Sequence, residues 1–599
     1  MVKKHECLVA GKSLKNMKYP AVFAQLCDIL ATISPHMYRK FCALFTGPTD
    51  QALRHLRSRA PKFALGFNVA NIDAVVKIIH DLQYHGPVTL SYDDTELEKA
   101  LSVYEVSKEF LQVVGNVGEP LRVDREDDID TLFTTVEKAS KLCVWVLGIP
   151  LPKIPPIVIT AVPRSGKEGV SKLFEYHTLI MDSFHSRHIT PLSMSSDGAA
   201  TECSLGKQII TSHEHHMHHH IAGPTKKSSI DLVIPLCSCH RRPSNVVQDA
   251  KHGAKTARNQ LLTGAHLLVL GNFTAFFAHL RDIAEHVLGS LFRRDVEKLD
   301  RQDDRAASRT LSSATLGFLG QHFPQRRSLA TYLFIMGELI NMWQNQSIGR
   351  LECACMVLRA RLLLTEWHSH ISQHPDYSVD VQFISRDSYE IFITMCDSLL
   401  SLILSHRQFY PNYPLLPWLH SRKLKKDFTQ LDFLHFIPEL HVMLLGEFSN
   451  LSSQEKANAT AAGYHHTYFH SDDINIPALM EWPTHAQLEF TLASALEDVK
   501  ELLSTLGINF APSPTQVVPR DANSGTAPLP AINPPESDSS IGDDDKVTAP
   551  SLEELLHTVP DQSDGQAQSF GQTRISQQWL SGFACDFYMH YKHIISTWL

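Results

Sequence analysis

Long unbroken apolar runs are what this sequence most plainly lacks. The longest apolar segment, Ala265 to Leu280, is interrupted by His266, Asn272 and His279. It falls short of the roughly 20 residues a membrane-spanning helix needs. Cysteine is also sparse: 11 in 599 residues, too few and too irregularly spaced for the disulfide framework of a small secreted domain. Cys7, Cys27, Cys42 and Cys143 sit singly among apolar neighbours, as free buried thiols do. No charge sign dominates. Fifty-five Lys and Arg against 64 Asp and Glu leave a net −9, which excludes a chain that coats nucleic acid over its whole surface. A local basic patch stays open. Met1 to Cys7 carry charge with no apolar stretch of signal-peptide length behind them. The expectation is a soluble chain in a reducing compartment, nuclear or cytoplasmic, with no membrane partner. Lys423-Leu424-Lys425-Lys426 is too short a basic cluster to choose between the two. No repeat of solenoid length is present.

What is present is material for several cores. With 43% hydrophobic and 9% aromatic residues, wholesale disorder is excluded, and 599 residues exceed what a single core accommodates. Residues 1–86 read as a helical region, with Val22, Phe23, Leu26, Ile29, Leu30 and Ile33 at helical spacing before Pro35, and a second stripe from Ala70 to Leu82. After Gly86-Pro87 the period changes. Short β-prone runs appear at Val88–Tyr92, Leu111–Val114, Leu142–Leu147, Ile154–Val162 and Ile189–Met194, with helices expected over Glu96–Phe110 and Glu168–His185. Residues 87–257 therefore form the first part of a mixed α/β core. Residues 258–408 are helical almost throughout and look inserted; 409–507 return to the core and further helices. Residues 508–568 are rich in Pro, Ser and Asp and read as a disordered linker, and 569–599 as a short apolar helix. The fold class is α/β with a large α-helical part.

Three segments could carry chemistry. Asp93 and Asp94 follow a β-prone run, and a strand end can hold a carboxylate rigidly against a divalent metal. Either could equally cap the helix expected near Glu96. Asp197, in Ser195-Ser196-Asp197-Gly198-Ala199-Ala200-Thr201-Glu202, ends another such run, or simply makes an Asp-Gly turn. Two acids at the ends of two strands of one sheet can share metal ions. In Asp249-x-x-His252-x-x-Lys255-x-x-Arg258-Asn259, the side chains of Lys251, His252, Lys255 and Arg258 would gather on nearby faces of a helix and could hold phosphates. A solvated helix start fits the same spacing.

In this order the three segments resemble P-element-like transposases, in the version found in transposon-derived proteins of fungi. Ile33-Ser34-Pro35-His36-Met37-Tyr38-Arg39 is similar to the helical region preceding the catalytic core, and the helical block to the insertion between the second and third acids. The similarity spans roughly residues 20–505. It implies an RNase H-like mixed sheet interrupted by a helical insertion, with two aspartates and a glutamate around two Mg²⁺ or Mn²⁺ ions. Asp93 or Asp94 would be the first acid and Asp197 the second, with Asp94 and Asp197 as metal ligands. Relatives supply the glutamate after the segment matching Tyr410 to Ser421. This chain runs instead into Arg422-Lys423-Leu424-Lys425-Lys426, leaving Asp427 and Asp432 as weak substitutes. With a ligand gone and cations in its place, DNA cleavage should fall by orders of magnitude while DNA binding need not. The expected function is thus a catalytically inactive, transposon-derived protein with DNA as partner. The alternatives are an active divalent-metal-dependent transposase or nuclease, and a helical protein-interaction scaffold.

Other signals fail on spacing. His213 to His220 reads as a histidine-rich loop, because the second histidine of a zincin helix would fall on Met217. Cys237-Ser238-Cys239-His240 lacks a second ligand pair at zinc-finger spacing, so no structural zinc is expected there. Gly11-Lys12-Ser13 has Glu6 where a phosphate-binding loop needs its first glycine.

Overall fold

Apolar residues at helical spacing in the first eighty positions do fold as helices: α1 (Ala21–Ile33), α2 (Pro35–Leu44), α3 (Asp50–Ser58) and α4 (Val69–Asp81). Pro35 ends one helix by opening the next. Ser34, extended, accepts from the Met37 amide at 2.9 Å, and proline fills the first turn, where an N–H would have no partner. α4 buries Ile72, Val75 and Ile79 in the same core as the sheet that follows. This computed structural model describes residues 9–11, 19–420 and 476–508, apart from breaks at 46, 59–62, 65, 82–83, 108–109, 126, 151–155, 265, 298–299 and 346–347.

After β1 (Thr89–Glu96), the strands β2 (Ser102–Ser107), β3 (Phe110–Val114) and β4 (Leu121–Val123) form a small antiparallel sheet in that order. The helix expected over Glu96–Phe110 is not formed. Val103 and Tyr104 suit a strand, and pairing with β3 from Ser102↔Val114 onward satisfies the backbone that a helix would have satisfied internally. Helix α5 (Asp128–Thr135) then leads to β5 (Lys141–Gly148) and β6 (Ile157–Arg164), two strands buried along almost their whole length. Next come α6 (Val170–His185), β7 (Ser193–Ser196), α7 (Ala200–Ser212), the antiparallel ribbon β8 (His215–Ile221) and β9 (Ile230–Leu236), then β10 (Asn245–Gln248) and α8 (Ala250–Leu262). The histidine-rich run is therefore a strand rather than a loop. Its histidines alternate along β8, with His218 and His220 exposed.

Five strands make the main sheet, ordered β10-β7-β1-β5-β6. β5 runs antiparallel to both β1 and β6, while β1, β7 and β10 are parallel to one another. Parallel neighbours need crossovers. Consequently β1, β7 and β10 all finish at one edge.

Beyond α8 come a two-strand turn, β11 (Leu268–Leu270) and β12 (Phe273–Ala275), and the helices α9 (Phe277–Glu285), α10 (Arg293–Val296), α11 (Asp304–Thr310), α12 (Ser313–His322), α13 (Arg327–Gln344), α14 (Arg350–Gln373), α15 (Val379–Gln382) and α16 (Arg386–Phe409). The change to helix falls after β12; position 258 lies inside α8. After α17 (Ile476–Leu479), α18 (His485–Thr505) packs in the helical core with α14. Arg359 on α14 ties three helices: Nη1 donates to both Glu338 oxygens on α13 at 2.6 Å, and Nη2 to Asp498 on α18 at 2.7 Å. α16 is apolar and long enough to cross a membrane, but 72% of that stretch is buried inside the fold. It lies on the edge strand, where Asn245 Nδ2 donates to Ser405 Oγ at 3.1 Å. Asp427 and Asp432, the linker and the terminal apolar segment lie outside the described residues.

Candidate functional site

Strand register builds the site. Ser91 on β1 stands beside Ser195 on β7, and the Ser195 hydroxyl donates to Ser91 Oγ at 2.7 Å. Ser195 in turn stands beside Val247, and Ser196 beside Gln248 on β10. One step further, the Asp249 amide still donates to the Ser196 carbonyl at 3.0 Å. Counting on along each strand sets Asp93, Asp197 and Asp249 in one row where the parallel pairing ends. Asp197 and Asp249 directly follow β7 and β10, while Asp93 lies inside β1, three residues before its end. Neighbouring strands lie about 4.8 Å apart, so the row spans two such steps. Clefts outside the carboxyl ends of parallel strands are where open α/β sheets receive ligands.

The two adjacent acids of β1 part company because successive side chains point to opposite faces. Asp93 is on the face shared by Ser91 and Ser195 and is buried. Asp94 is on the other face and takes Nη1 of Arg164 on both oxygens at 3.0 Å. Arg164 ends β6, buries all but 5% of its side chain, and also lies 3.4 Å from Glu168 through Nε. Burial opposes its charge; Asp94 foremost, with Glu168, more than restores it. The expected pairing of Asp94 with Asp197 therefore shifts by one residue. Register aligns Asp93 with Asp197, and Asp94 is committed to an ion pair behind them.

Asp197 is followed by a turn that only glycine enters easily. Gly198 has φ of +89°, and a Cβ there would lie 2.4 Å from Gln248 Nε2. This turn aims the Gly198 and Ala199 amides at Glu202, which accepts them at 2.7 and 3.3 Å. Glu202 is buried, and its carboxyl is pushed up to about 8, mainly by burial. The Gly198 amide opposes that rise, and the negative fields of Asp93 and Asp94 add to it. A folded-state value raised above the ordinary 4.5 means the proton stabilises the fold fully below about 4.5, and this is lost as pH climbs through about 8. Glu202→Gln keeps the acceptor for Gly198 and removes the titration. Its urea midpoint should match wild type in acid and exceed it increasingly towards pH 8; a gap constant with pH would rule this out.

The basic segment divides in two. Asp249 caps α8 by accepting from the Lys251 amide at 3.0 Å. Lys251 is exposed at the mouth of the row, and His252 Nδ1 lies 4.0 Å from Asp197 Oδ1. Lys255 and Arg258, one and two turns on, face inward. Lys255 Nζ is 3.3 Å from Asp304, and Arg258, wholly buried, donates to the Asp295 carbonyl at 2.8 Å and the Asp300 carbonyl at 3.0 Å. Those two cations fasten α8 to the segment from α10 to α11, so they are not presented to a phosphate. Lys251, Lys255 and Arg258 do form an i, i+4, i+7 stripe, but only Lys251 is exposed and the other two face protein.

Among the described residues, the strand-end carboxylates do not bring three ligand atoms within 4.8 Å of one another. The chain after His420, whose Nδ1 meets Ser193 Oγ at 2.8 Å, carries Asp427 and Asp432 and lies outside the description. Sequence reasoning missed three members of the site: Asp249, Glu202 and Arg164. For Asp249, the signal was its place directly after the four-residue run Asn245-Val246-Val247-Gln248.

No protein-family model matches the chain, and no curated protein does. Similar solved structures include the Drosophila P element transposase strand transfer complex, at 12% identity and a TM-score of 0.47, covering 83% of this chain and 96% of that one. So distant a likeness carries no weight, and function is read from the site itself.

Proposed function

We propose that this chain is a transposon-derived protein with an RNase H-like core that binds DNA at the ends of its parallel strands and no longer cuts it. The observation that carries this reading is the row Asp93, Asp197 and Asp249 across strands β1, β7 and β10 of a mixed five-stranded sheet. A single reversed strand, β5, set between β1 and β6 in an otherwise parallel sheet gives the directions such a core requires.

Hard oxygen donors at a strand edge suit Mg²⁺ or Mn²⁺ by type. Asp93 and Asp197 would hold one such ion, which would supply a Lewis acid for phosphoryl oxygen. Asp249 is engaged in capping Lys251, and Asp94 is engaged by Arg164. By donor type Asp93 and Asp197 fit one such ion, and the basic run Arg422-Lys423-Leu424-Lys425-Lys426, where the resemblance places the third acid, supports inactivity. Lys251 and His252 would face a phosphate lying along the row. A second reading, an active metal-dependent nuclease, is favoured by Asp249 being where a third carboxylate could swing in.

The decisive test measures binding and cutting on the same preparation. DNA binding should weaken steeply as salt rises, and Lys251→Ala should reduce the slope of log affinity against log salt by about one. Duplex DNA with Mg²⁺ or Mn²⁺ should stay intact. Metal-dependent nicking abolished by Asp197→Asn would establish the nuclease instead. Absence of salt-dependent DNA binding would leave a protein-interaction scaffold built on the helical part.

A further inference from the structure

Cys237, Ser238, Cys239 and His240 form the turn that leaves β9, and no second ligand pair stands near them in the chain. The fold supplies one. Helix α6 ends at His185, and the ring of that residue lies against the turn, with Nδ1 3.6 Å from Cys237 Sγ. Among the described residues, His185, Cys237 and Cys239 are the one set of three metal-type donors whose ligand atoms all lie within 4.8 Å of one another. His240 stands next to them, its Nδ1 3.3 Å from Cys239 Sγ.

We propose that His185, Cys237 and Cys239 bind a zinc ion, with His240 as the fourth ligand, and that the ion clasps the β9–β10 turn to the end of α6.

Donor type comes first. Two thiolates with two imidazoles is a set that tetrahedral zinc takes in structural sites. With bonds near 2.3 Å to sulfur and 2.0 Å to nitrogen, neighbouring ligand atoms around zinc sit roughly 3.3–3.8 Å apart. The His185–Cys237 and Cys239–His240 separations already fall there. The two sulfurs, at 2.7 Å, stand too close for two uncharged thiols and need to spread by about 1 Å around an ion.

The surroundings also fit. Zinc-bound histidines are commonly oriented through their second nitrogen. If His240 ligates through Nδ1, its Nε2–H faces His188 Nδ1, 3.4 Å away. His185 buries Nε2 with no hydrogen-bond partner among the described residues, and His240 Nδ1 would exchange its 3.2 Å contact with Thr190 Oγ1 for the ion. Positive φ at a non-glycine residue is costly and persists where the surroundings enforce it. Among the described residues it occurs at two such positions, His188 at 60° and Arg241 at 52°. Both flank this cluster. The turn is pinned by the Arg241 amide to the Cys237 carbonyl at 2.8 Å and by the Cys237 amide to the Arg242 carbonyl at 2.9 Å. Loading replaces two S–H bonds with two S–Zn bonds and releases both protons to solvent; no oxidant or reductant is involved.

The histidines of β8 would also collect metal, so the test reads sulfur. Full-length protein without a histidine tag, stripped by chelator under reducing conditions, is titrated with Co²⁺. The expected result is a thiolate-to-cobalt charge-transfer band with the visible bands of tetrahedral coordination. Both should vanish in the Cys237→Ser, Cys239→Ser double variant and survive His218→Asn with His220→Asn. A second measurement uses the unaltered chain, so that misfolding of a variant cannot obscure the answer. Zn²⁺ should protect Cys237 and Cys239 from alkylation, several-fold in rate, while leaving partly exposed Cys42 as reactive as before. No charge-transfer band, equal alkylation with and without Zn²⁺, or a Cys237–Cys239 disulfide in protein kept reduced throughout would each overturn the site.

Discussion

Arg164→Met should cost about 3 kcal/mol of folding stability, the largest loss expected from a single change in the sheet. The guanidinium is almost fully buried, and its two carboxylate partners, Asp94 and Glu168, are themselves only 25% and 21% exposed. Removing the cation strands both anions in a poorly solvated place, at a cost exceeding the worth of the pair itself. Partial exposure of the anions keeps the figure at the low end of the range for buried pairs. Adding Asp94→Asn to Arg164→Met should recover part of the loss, since one stranded charge is then gone. Urea unfolding of the three variants is the measurement. A single variant within 0.5 kcal/mol of wild type, on the order of an ordinary surface change, would show that the ion pair does not organise this end of the sheet.

Gly198→Val should come next, at about 2–3 kcal/mol, and should damage the site as well as the fold. A branched side chain resists φ of +89°, and its Cβ would meet the Gln248 amide at 2.4 Å. That amide donates to the Ser196 carbonyl at 3.2 Å, so displacing it loosens β10 from β7 where Asp197 and Asp249 come side by side. Glu202 would also lose the orientation of its two amide donors. The check pairs thermal unfolding with DNA affinity. If the turn matters only for packing, stability falls while affinity per folded molecule is kept; if it sets the strand-end row, both fall together.

Much of this architecture was legible in the chain. Runs such as Leu142–Leu147 announced buried strands because strands covered on both faces need continuous apolar stretches, and the helical block announced itself through its period. Asp197 was legible as an acid directly after a strand, whereas β1 runs on past Asp93 and Asp94 to Glu96 because β5 pairs with it along its whole length. Which of Asp93 and Asp94 faces the row was not legible, because the answer depends on register with Ser195, a residue about a hundred positions away. Glu96–Phe110 was misjudged because its strand is stabilised by a partner, β3, rather than by its own pattern. Lys255 and Arg258 looked like a phosphate patch because charge normally means solvent; here the acids and carbonyls that bury them lie in the 295–304 segment. The same blindness hid the sulfur–imidazole cluster. His185 and Cys237 are separated by 52 residues, and spacing rules read only neighbours.

The contact between Asn245 and Ser405 joins positions 160 residues apart, and that between Ser193 and His420 joins positions 227 apart. During synthesis, then, β10 leaves the ribosome long before the helix that covers it. For that interval the nascent chain carries a bare strand margin able to pair with another copy. A chain halted before Arg386 would keep that margin permanently, and such truncations should collect in inclusion bodies or on chaperones even though every strand of the sheet has already been made.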